Sequence, residues 1–305
     1  MSETLSSKGY RVLGIDNINS YYDIKLKKNR INHFLLKNDI EFKNIDLADY
    51  KEISKSFNNF KPDIVINLAA QAGVRYSIEN PFQYAQSNLL GFSNVIEISK
   101  LLDVEHFIYA SSSSVYGNNT NERFKESDDV SNPESFYAAT KISNELISKS
   151  YSNLFNMKCS GLRFFTAYGP WGRPDMAYFL FTKNIIEGKQ IDVYGQGKLL
   201  RDYTYITDIV EAIFRIMKIE DPDSHNEIFN IGNENPIILN DFIKTLENII
   251  GIEAITNFMP IQKGDVYKTS SDTSKLYKKT GFKPQVGYEE GLLNFYKWYK
   301  GYYET

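Results

Sequence analysis

Residues 105–112, EHFIYASS, fix how the rest of the chain is read. A short apolar run stops abruptly at serines, the profile of a buried strand that ends in a turn. Helix-length segments flank it at 81–102 and 136–155. Working outward, similar runs recur at YRVLGID (10–16), IEFKNID (40–46), DIVINLAA (63–70) and KCSGLRFF (158–165), with further helical segments at 24–38 and 48–59. This alternation implies an α/β fold, parallel strands joined by crossover helices that cover both faces of one sheet. After Gly169 the rhythm loosens into Gly and Pro turns, the short strands IDVYG (191–195), RDYTYI (201–206) and EIFNIG (227–232), and helices near 177–187, 207–219, 240–250 and 288–302. We therefore expect a first domain over 1–168 and a smaller lobe over 169–305, with some segments of the lobe returning to the first domain.

Bulk properties narrow the function classes. A chain of 305 residues buries a large core, and 42% apolar with 24% charged residues is ordinary for a globular protein. A net charge of −3 gives no electrostatic case for nucleic acid or an anionic membrane as partner. The single Cys159 excludes an internal disulfide framework and fits a reducing compartment. No run approaches the eighteen apolar residues of a membrane span, and the N-terminus is polar where a signal peptide would be apolar. A soluble, cytoplasmic protein is expected. His33, His106 and His225 are widely spaced without ligand partners, so no metal site is expected.

The chemistry-bearing pattern is YASSSSVYG (109–117) followed by YAATK (137–141). Tyr137 and Lys141 are four apart and share one face of a helix. An ammonium near a phenol favours the phenolate, which can act as a general base toward a hydroxyl. Alone, Tyr-x-x-x-Lys is weak, since YYDIK (21–25) contains it too. The serine-rich strand end upstream strengthens it, because ligands of open α/β sheets bind beyond the carboxyl ends of the strands.

With these blocks in place, the chain resembles the extended short-chain dehydrogenase/reductase family of nucleotide-sugar epimerases, most of all its UDP-glucuronate 4-epimerases. The resemblance is carried by GIDNINSYYD (14–23), INLAAQAGVRYSIENP (66–81), SNLLGFSN (87–94), YASSSSVYG, SFYAATK (135–141), GLRFFTAYGPWGRPDMA (161–177), RDYTYITDIV (201–210) and GDVYKTSSDTSKL (264–276). Tyr203 and Thr207 are mild departures, where the family often has Phe and usually Asp. Cys159 reads as a buried strand residue, not a nucleophile.

The resemblance implies a Rossmann-type doubly wound sheet, tightly held NAD and a UDP-sugar substrate. It makes Ser112, Tyr137 and Lys141 the catalytic set, with Tyr137 and Lys141 also meeting the cofactor. It places Asp16, Asn17, Asn19, Asp46, Leu47, Leu68, Ala69 and Asn88 along NAD, and Asp16 favours NAD over NADP. Ser113, Ser114 and Thr166 match hydroxyls around a hexuronate carboxylate, Arg173 is a further candidate there, Arg201 would meet the diphosphate and Asp265 the uridine ribose. Related dehydratases carry an Asp-Glu pair just after the catalytic hydroxyl and related decarboxylases a Glu; Ser113 and Ser114 stand there instead, favouring simple 4-epimerisation. The family also implies a homodimer packed through helices 81–102 and 136–155. A neutral UDP-sugar is the alternative substrate.

The beginning, MSETLSSKGY (1–10), departs from that pattern. It reads as the end of a helix, stopped at Gly9, running into the strand that ends at Asp16. A dinucleotide unit opens earlier, with a strand and a Gly-x-x-Gly-x-x-Gly turn that holds the pyrophosphate. Met1 aligns within the helix after that turn, so the expectation is either a longer biological chain, by roughly twenty residues, or a truncated inactive paralogue unable to hold NAD. The absent strand would sit mid-sheet.

Overall fold

The computed structural model describes residues 1–220, 224–262 and 264–303. Helix α1 (Ser2–Ser7) leads into β1 (Leu13–Asp16), α2 (Ile24–Phe34), β2 (Glu41–Asn44), α3 (Tyr50–Phe60) and β3 (Ile64–Asn67). Short helices α4 (Val74–Glu79) and α5 (Pro81–Tyr84) follow, then a π turn over Ala85–Leu90 and α6 (Gly91–Leu101). The opening stretch forms β4 (His106–Ala110), and after a loop come α7 (Phe136–Phe155), β5 (Cys159–Phe164) and β6 (Thr166–Tyr168). The remainder is α8 (Ala177–Ile186), β7 (Ile191–Tyr194), β8 (Leu200–Tyr205), α9 (Ile206–Met217), β9 (Asn226–Ile231), β10 (Pro236–Ile238), α10 (Leu239–Ile250), β11 (Thr256–Met259), α11 (Ser274–Thr280) and α12 (Tyr288–Tyr303).

The expected parallel α/β sheet is present, in order β3-β4-β5-β9. Along β4 the side chains alternate between two cores, as the two-residue period of a strand dictates. Phe107 and Tyr109 pack with Ile53, Phe92 and Val95 of α3 and α6. Ile108 faces the other way, with Ile213 and Ile216 of α9 and Leu276 of α11. Gly161 of KCSGLRFF is required by this packing: it pairs with Tyr109, and a β-carbon there would lie 2.6 Å from the tyrosine hydroxyl.

Strands β1 and β2 form a separate parallel pair, and among the described residues no strand joins β1 to β3. β1 is also shorter than YRVLGID. Leu13 pairs with Glu41, so Tyr10–Val12 would need residues 38–40 as partners, and there the chain turns at Asp39 with φ 55°. Tyr10 packs instead edge-on to Phe214, and Arg11 lies over Phe60.

Two further small sheets are present, β10-β8-β6 and β11-β7. A hydrophobic core rich in aromatics includes Tyr168, Tyr178, Phe179, Tyr203, Phe242 and Phe295. Tyr203 stacks on Phe242 at 4.5 Å, so a tyrosine in place of phenylalanine keeps the packing. Among the described residues no helix is long and apolar enough to cross a membrane.

Candidate active site

The carboxyl end of β4 and the first two turns of α7 build the centre of the site. After Ala110 the chain enters a 3-10 turn over Ser113–Tyr116, and Ser112 caps it by accepting the Ser114 N–H at 3.2 Å. Ser135 caps α7 in the same way, accepting from the Ala138 N–H at 3.1 Å. These two caps set Ser112 and Tyr137 facing one region. Lys141, one turn further, is buried and donates to the Ala110 carbonyl at 2.8 Å. Its Nζ lies 5.9 Å from the centre of the Tyr137 ring.

The electrostatics differ from the expectation that Lys141 dominates Tyr137. Burial raises the phenol above its ordinary pKa, and the groups pulling it down are Ser112 and the charge of Arg173. The Ser112 hydroxyl donates to Ser114 Oγ at 3.2 Å. Burial lowers Lys141 to about 8, with Glu145 opposing that shift.

Glu145 was not singled out by the sequence reading. It sits on α7 one turn beyond Lys141 and forms a two-point pair with Arg163 of β5, Nε to Oε1 at 2.9 Å and Nη2 to Oε2 at 2.8 Å. Ser111 also donates to Glu145 Oε1 at 2.5 Å. A charged residue inside the apolar strand KCSGLRFF was the available signal, since a buried guanidinium needs a carboxylate partner.

The loop after β6 brings Arg173 to this group. Its guanidinium pairs with Asp175, lies over the ring of Tyr21 at 5.8 Å, and has Nη2 at 3.7 Å from where a β-carbon on Gly73 would be. The Tyr84 ring meets Tyr137 edge-on at 6.0 Å, and its hydroxyl donates to the Gly73 carbonyl at 2.5 Å. Tyr21, Tyr84 and Asp175 were also missed.

The residues read as cofactor positions gather at the strand ends. Asp16 Oδ1 accepts from the Ile18 N–H at 2.6 Å, and Asn17 donates to Asp46 at 3.0 Å. Asn19 accepts from Lys27 Nζ at 2.6 Å and donates to Gln71 at 3.4 Å. The Leu47 carbonyl takes Asn94 Nδ2 at 2.8 Å. Leu68 and Ala69 are exposed just past the end of β3. Asn88 is buried in the π turn, bonded to both backbone groups of Gln71 and to Thr140. That turn interrupts the helix expected over 81–102 and aims Asn88 inward, a usual role for a π bulge.

Arg201 donates to Asp265 at 2.7 Å. The strand beneath Arg201 is anchored by the buried Asp202, which accepts from Asn233, Glu234 and Ser271 backbone N–H groups and from the Ser271 hydroxyl. Thr166 begins β6 opposite Tyr203. Among the described residues no hydrogen bond joins Thr166, Arg201 or Asp265 to the Ser112 and Tyr137 group. Cys159 is buried and burial pushes its thiol up to about 11, so it is not a nucleophile.

The sequence model of the GDP-mannose 4,6 dehydratase family matches residues 1–295. The chain belongs to the extended short-chain dehydrogenase/reductase epimerases. Protein CapI of Staphylococcus aureus is 45% identical over 319 residues, covering 100% of this chain and 95% of that protein. UDP-glucuronate 4-epimerase 2 of Arabidopsis thaliana is 39% identical, covering 100% of this chain and 73% of that protein. The crystal structure of UDP-glucuronic acid 4-epimerase from Bacillus cereus, in complex with UDP-glucuronic acid and NAD, superposes with a TM-score of 0.92 at 31% identity, over 98% of this chain and 94% of that one.

The buried Lys141 carries an expected stability effect. An unfolded lysine titrates near ~10.4, whereas the folded one is held at about 8. Below pH 8 both states are protonated and the cost of the buried charge is fully present. From there to pH ~10.4 the unfolded chain binds the extra proton, so stability gained from deprotonation rises with pH. Lys141→Met should therefore melt higher than wild type at pH 7, with the difference shrinking toward pH 10 in paired thermal melts.

Proposed function

We propose that this chain is an NAD-dependent UDP-hexuronate 4-epimerase that interconverts UDP-glucuronate and UDP-galacturonate. The observation that carries the reading is the cation of Arg173 set beside the Tyr137, Ser112 and Lys141 group, with no acid at positions 113 and 114. Arg173 supplies a fixed donor for a C6 carboxylate, as Ser113, Ser114 and Thr166 supply hydroxyls. Tyr137 takes the proton of the sugar 4-hydroxyl, Ser112 hydrogen-bonds the oxygen at C4, and Ser112 with the charge of Arg173 draws the phenol toward the phenolate. The 4-keto sugar then turns over in the pocket, and Tyr137 returns the proton to the oxygen at C4.

NAD fits the residues at its two ends. Asp16 and Asn17 at the end of β1 suit adenosine hydroxyls, with Asp46 and Leu47 beside them. The exposed Leu68 and Ala69 at the end of β3 offer an apolar rest for the cofactor, and the buried Lys141 suits the nicotinamide ribose. Bound NAD⁺ would supply the acceptor and donor of the hydride at C4. Assays should contain added NAD⁺.

We extend the proposal to supplying a precursor for a surface polysaccharide in the cytoplasm. A homodimer is the assembly that suits helices 81–102 and 136–155. Phe82, Leu90 and Leu101 on the first, and Leu146 and Leu154 on the second, are large apolar side chains left exposed.

The substrate reading is tested by turnover of UDP-glucuronate against UDP-glucose under the same conditions. Preference for the uronate is the expected result. Equal or better use of UDP-glucose would assign the chain to the neutral-sugar epimerases instead.

A further inference from the structure

Arg173 does not stand alone in its loop. Asp175 takes its Nε at 3.0 Å and its Nη2 at 2.5 Å, a side-on fork that occupies one edge of the guanidinium. Tyr21, in the segment after β1, donates its hydroxyl to the same carboxylate at 3.0 Å. The loop is also tied to α2, because Arg30 donates to the Gly172 carbonyl at 2.9 Å and Trp171 stacks on His33 at 5.1 Å.

A guanidinium has five N–H donors in a rigid plane, and a carboxylate that binds side-on uses only two of them. The Nη1 end of Arg173 has no hydrogen-bond partner among the described residues, so it remains available to a second anion. The carboxylate of Asp175 is held below its ordinary pKa: burial works to raise it, but the hydrogen bond and charge of Arg173 and the hydroxyl of Tyr21 outweigh burial. The Tyr21 phenol is pushed up to about 12 by burial and by Asp175, so it stays protonated and keeps donating. The triad is thus ionised and fully bonded on one side across the neutral range.

We propose that Asp175, locked by Tyr21, is the positioning residue that fixes the orientation of Arg173, so that its free edge meets the carboxylate of a hexuronate substrate. This rests on the reading that Arg173 receives that carboxylate. It makes uronate selection depend on a residue that does not itself touch the sugar.

Two roles for Asp175 differ in sign. If it served only as a countercharge, its removal would leave Arg173 more attractive to an anion, and UDP-glucuronate would bind more tightly. If it orients the guanidinium, Asp175→Asn keeps the size but breaks the two-point fork, and binding of the uronate weakens.

The test is calorimetric titration of UDP-glucuronate and of UDP-glucose into the protein with NAD⁺ present, for wild type, Asp175→Asn, Tyr21→Phe and Arg173→Gln. For Asp175→Asn the expected result is UDP-glucuronate weakened by about fivefold or more, of the order of one charge-assisted hydrogen bond, with UDP-glucose essentially unmoved. Tyr21→Phe should shift the same preference in the same direction by a smaller factor, and it serves if Asp175→Asn does not fold. Tighter uronate binding, equal weakening of both nucleotides, or no change in either would overturn the proposal. Arg173→Gln separates the two levels. If it leaves the uronate preference intact, the carboxylate reading of Arg173 itself falls. If it removes the preference while Asp175→Asn and Tyr21→Phe do not, only the positioning role falls.

Discussion

Tyr137→Phe should lose epimerase activity by about 10²–10⁴-fold, the range for removing a positioned general acid and base, while UDP-sugar binding changes little. The ring is retained, so its edge-on contact with Tyr84 survives and the α7 start remains packed. Only the oxygen that takes and returns the sugar proton is gone. The structure makes this loss hard to compensate. Ser112 is an alcohol that would not ionise in this range, and Lys141 donates to the Ala110 carbonyl, so neither stands ready as a substitute base. A coupled assay of UDP-galacturonate formation, with a binding titration alongside, separates the catalytic loss from a folding defect. Full activity in Tyr137→Phe would remove the proposed mechanism.

The second large effect is expected below the site, at Arg163. Replacing it with methionine leaves Glu145 charged and buried with only the Ser111 hydroxyl and nearby Lys141 to answer it. Breaking one side of a buried pair costs about 3–5 kcal/mol, whereas replacing both sides by apolar groups is often close to neutral. Arg163→Met should therefore lower the urea midpoint strongly, and the double variant Arg163→Met with Glu145→Leu should recover much of the loss. The double variant has a second readout. Glu145 is the charge that opposes the lowering of Lys141, so its removal should move the Lys141 titration further down. A destabilisation by the double variant as large as that of Arg163→Met would show that the pair holds the fold by more than mutual neutralisation.

Much of this architecture is legible in the sequence because it is local. EHFIYASS becomes β4 bounded by serines, and the helix expected over 136–155 forms over those same residues, started by the Ser135 cap. The spacing of Tyr137 and Lys141 is a property of one helix, so it survives any tertiary arrangement. What escapes is decided by distant partners. β6, β10 and β11 are three- or four-residue strands that exist because β8 and β7 lie beside them. The π turn around Asn88 depends on Gln71 and Thr140, neither of which is near it in the chain. Glu145 and Arg163 find each other across a helix and a strand, and Asp175 is given meaning by Tyr21, 154 positions away. The weak influence of Lys141 on Tyr137 was likewise invisible, because spacing puts the two on one face but does not say that the ammonium is spent on Ala110.

The most direct test of the central claim is to incubate the protein, with NAD⁺ added, with UDP-glucuronate deuterated at C4 in ordinary water, and to follow the product by NMR and mass spectrometry. The expected result is UDP-galacturonate that keeps the deuterium at C4, because hydride leaves and returns at the same carbon without meeting solvent. Product that has exchanged its label with water, or no C4 epimer despite bound NAD⁺ and UDP-glucuronate, would contradict the account.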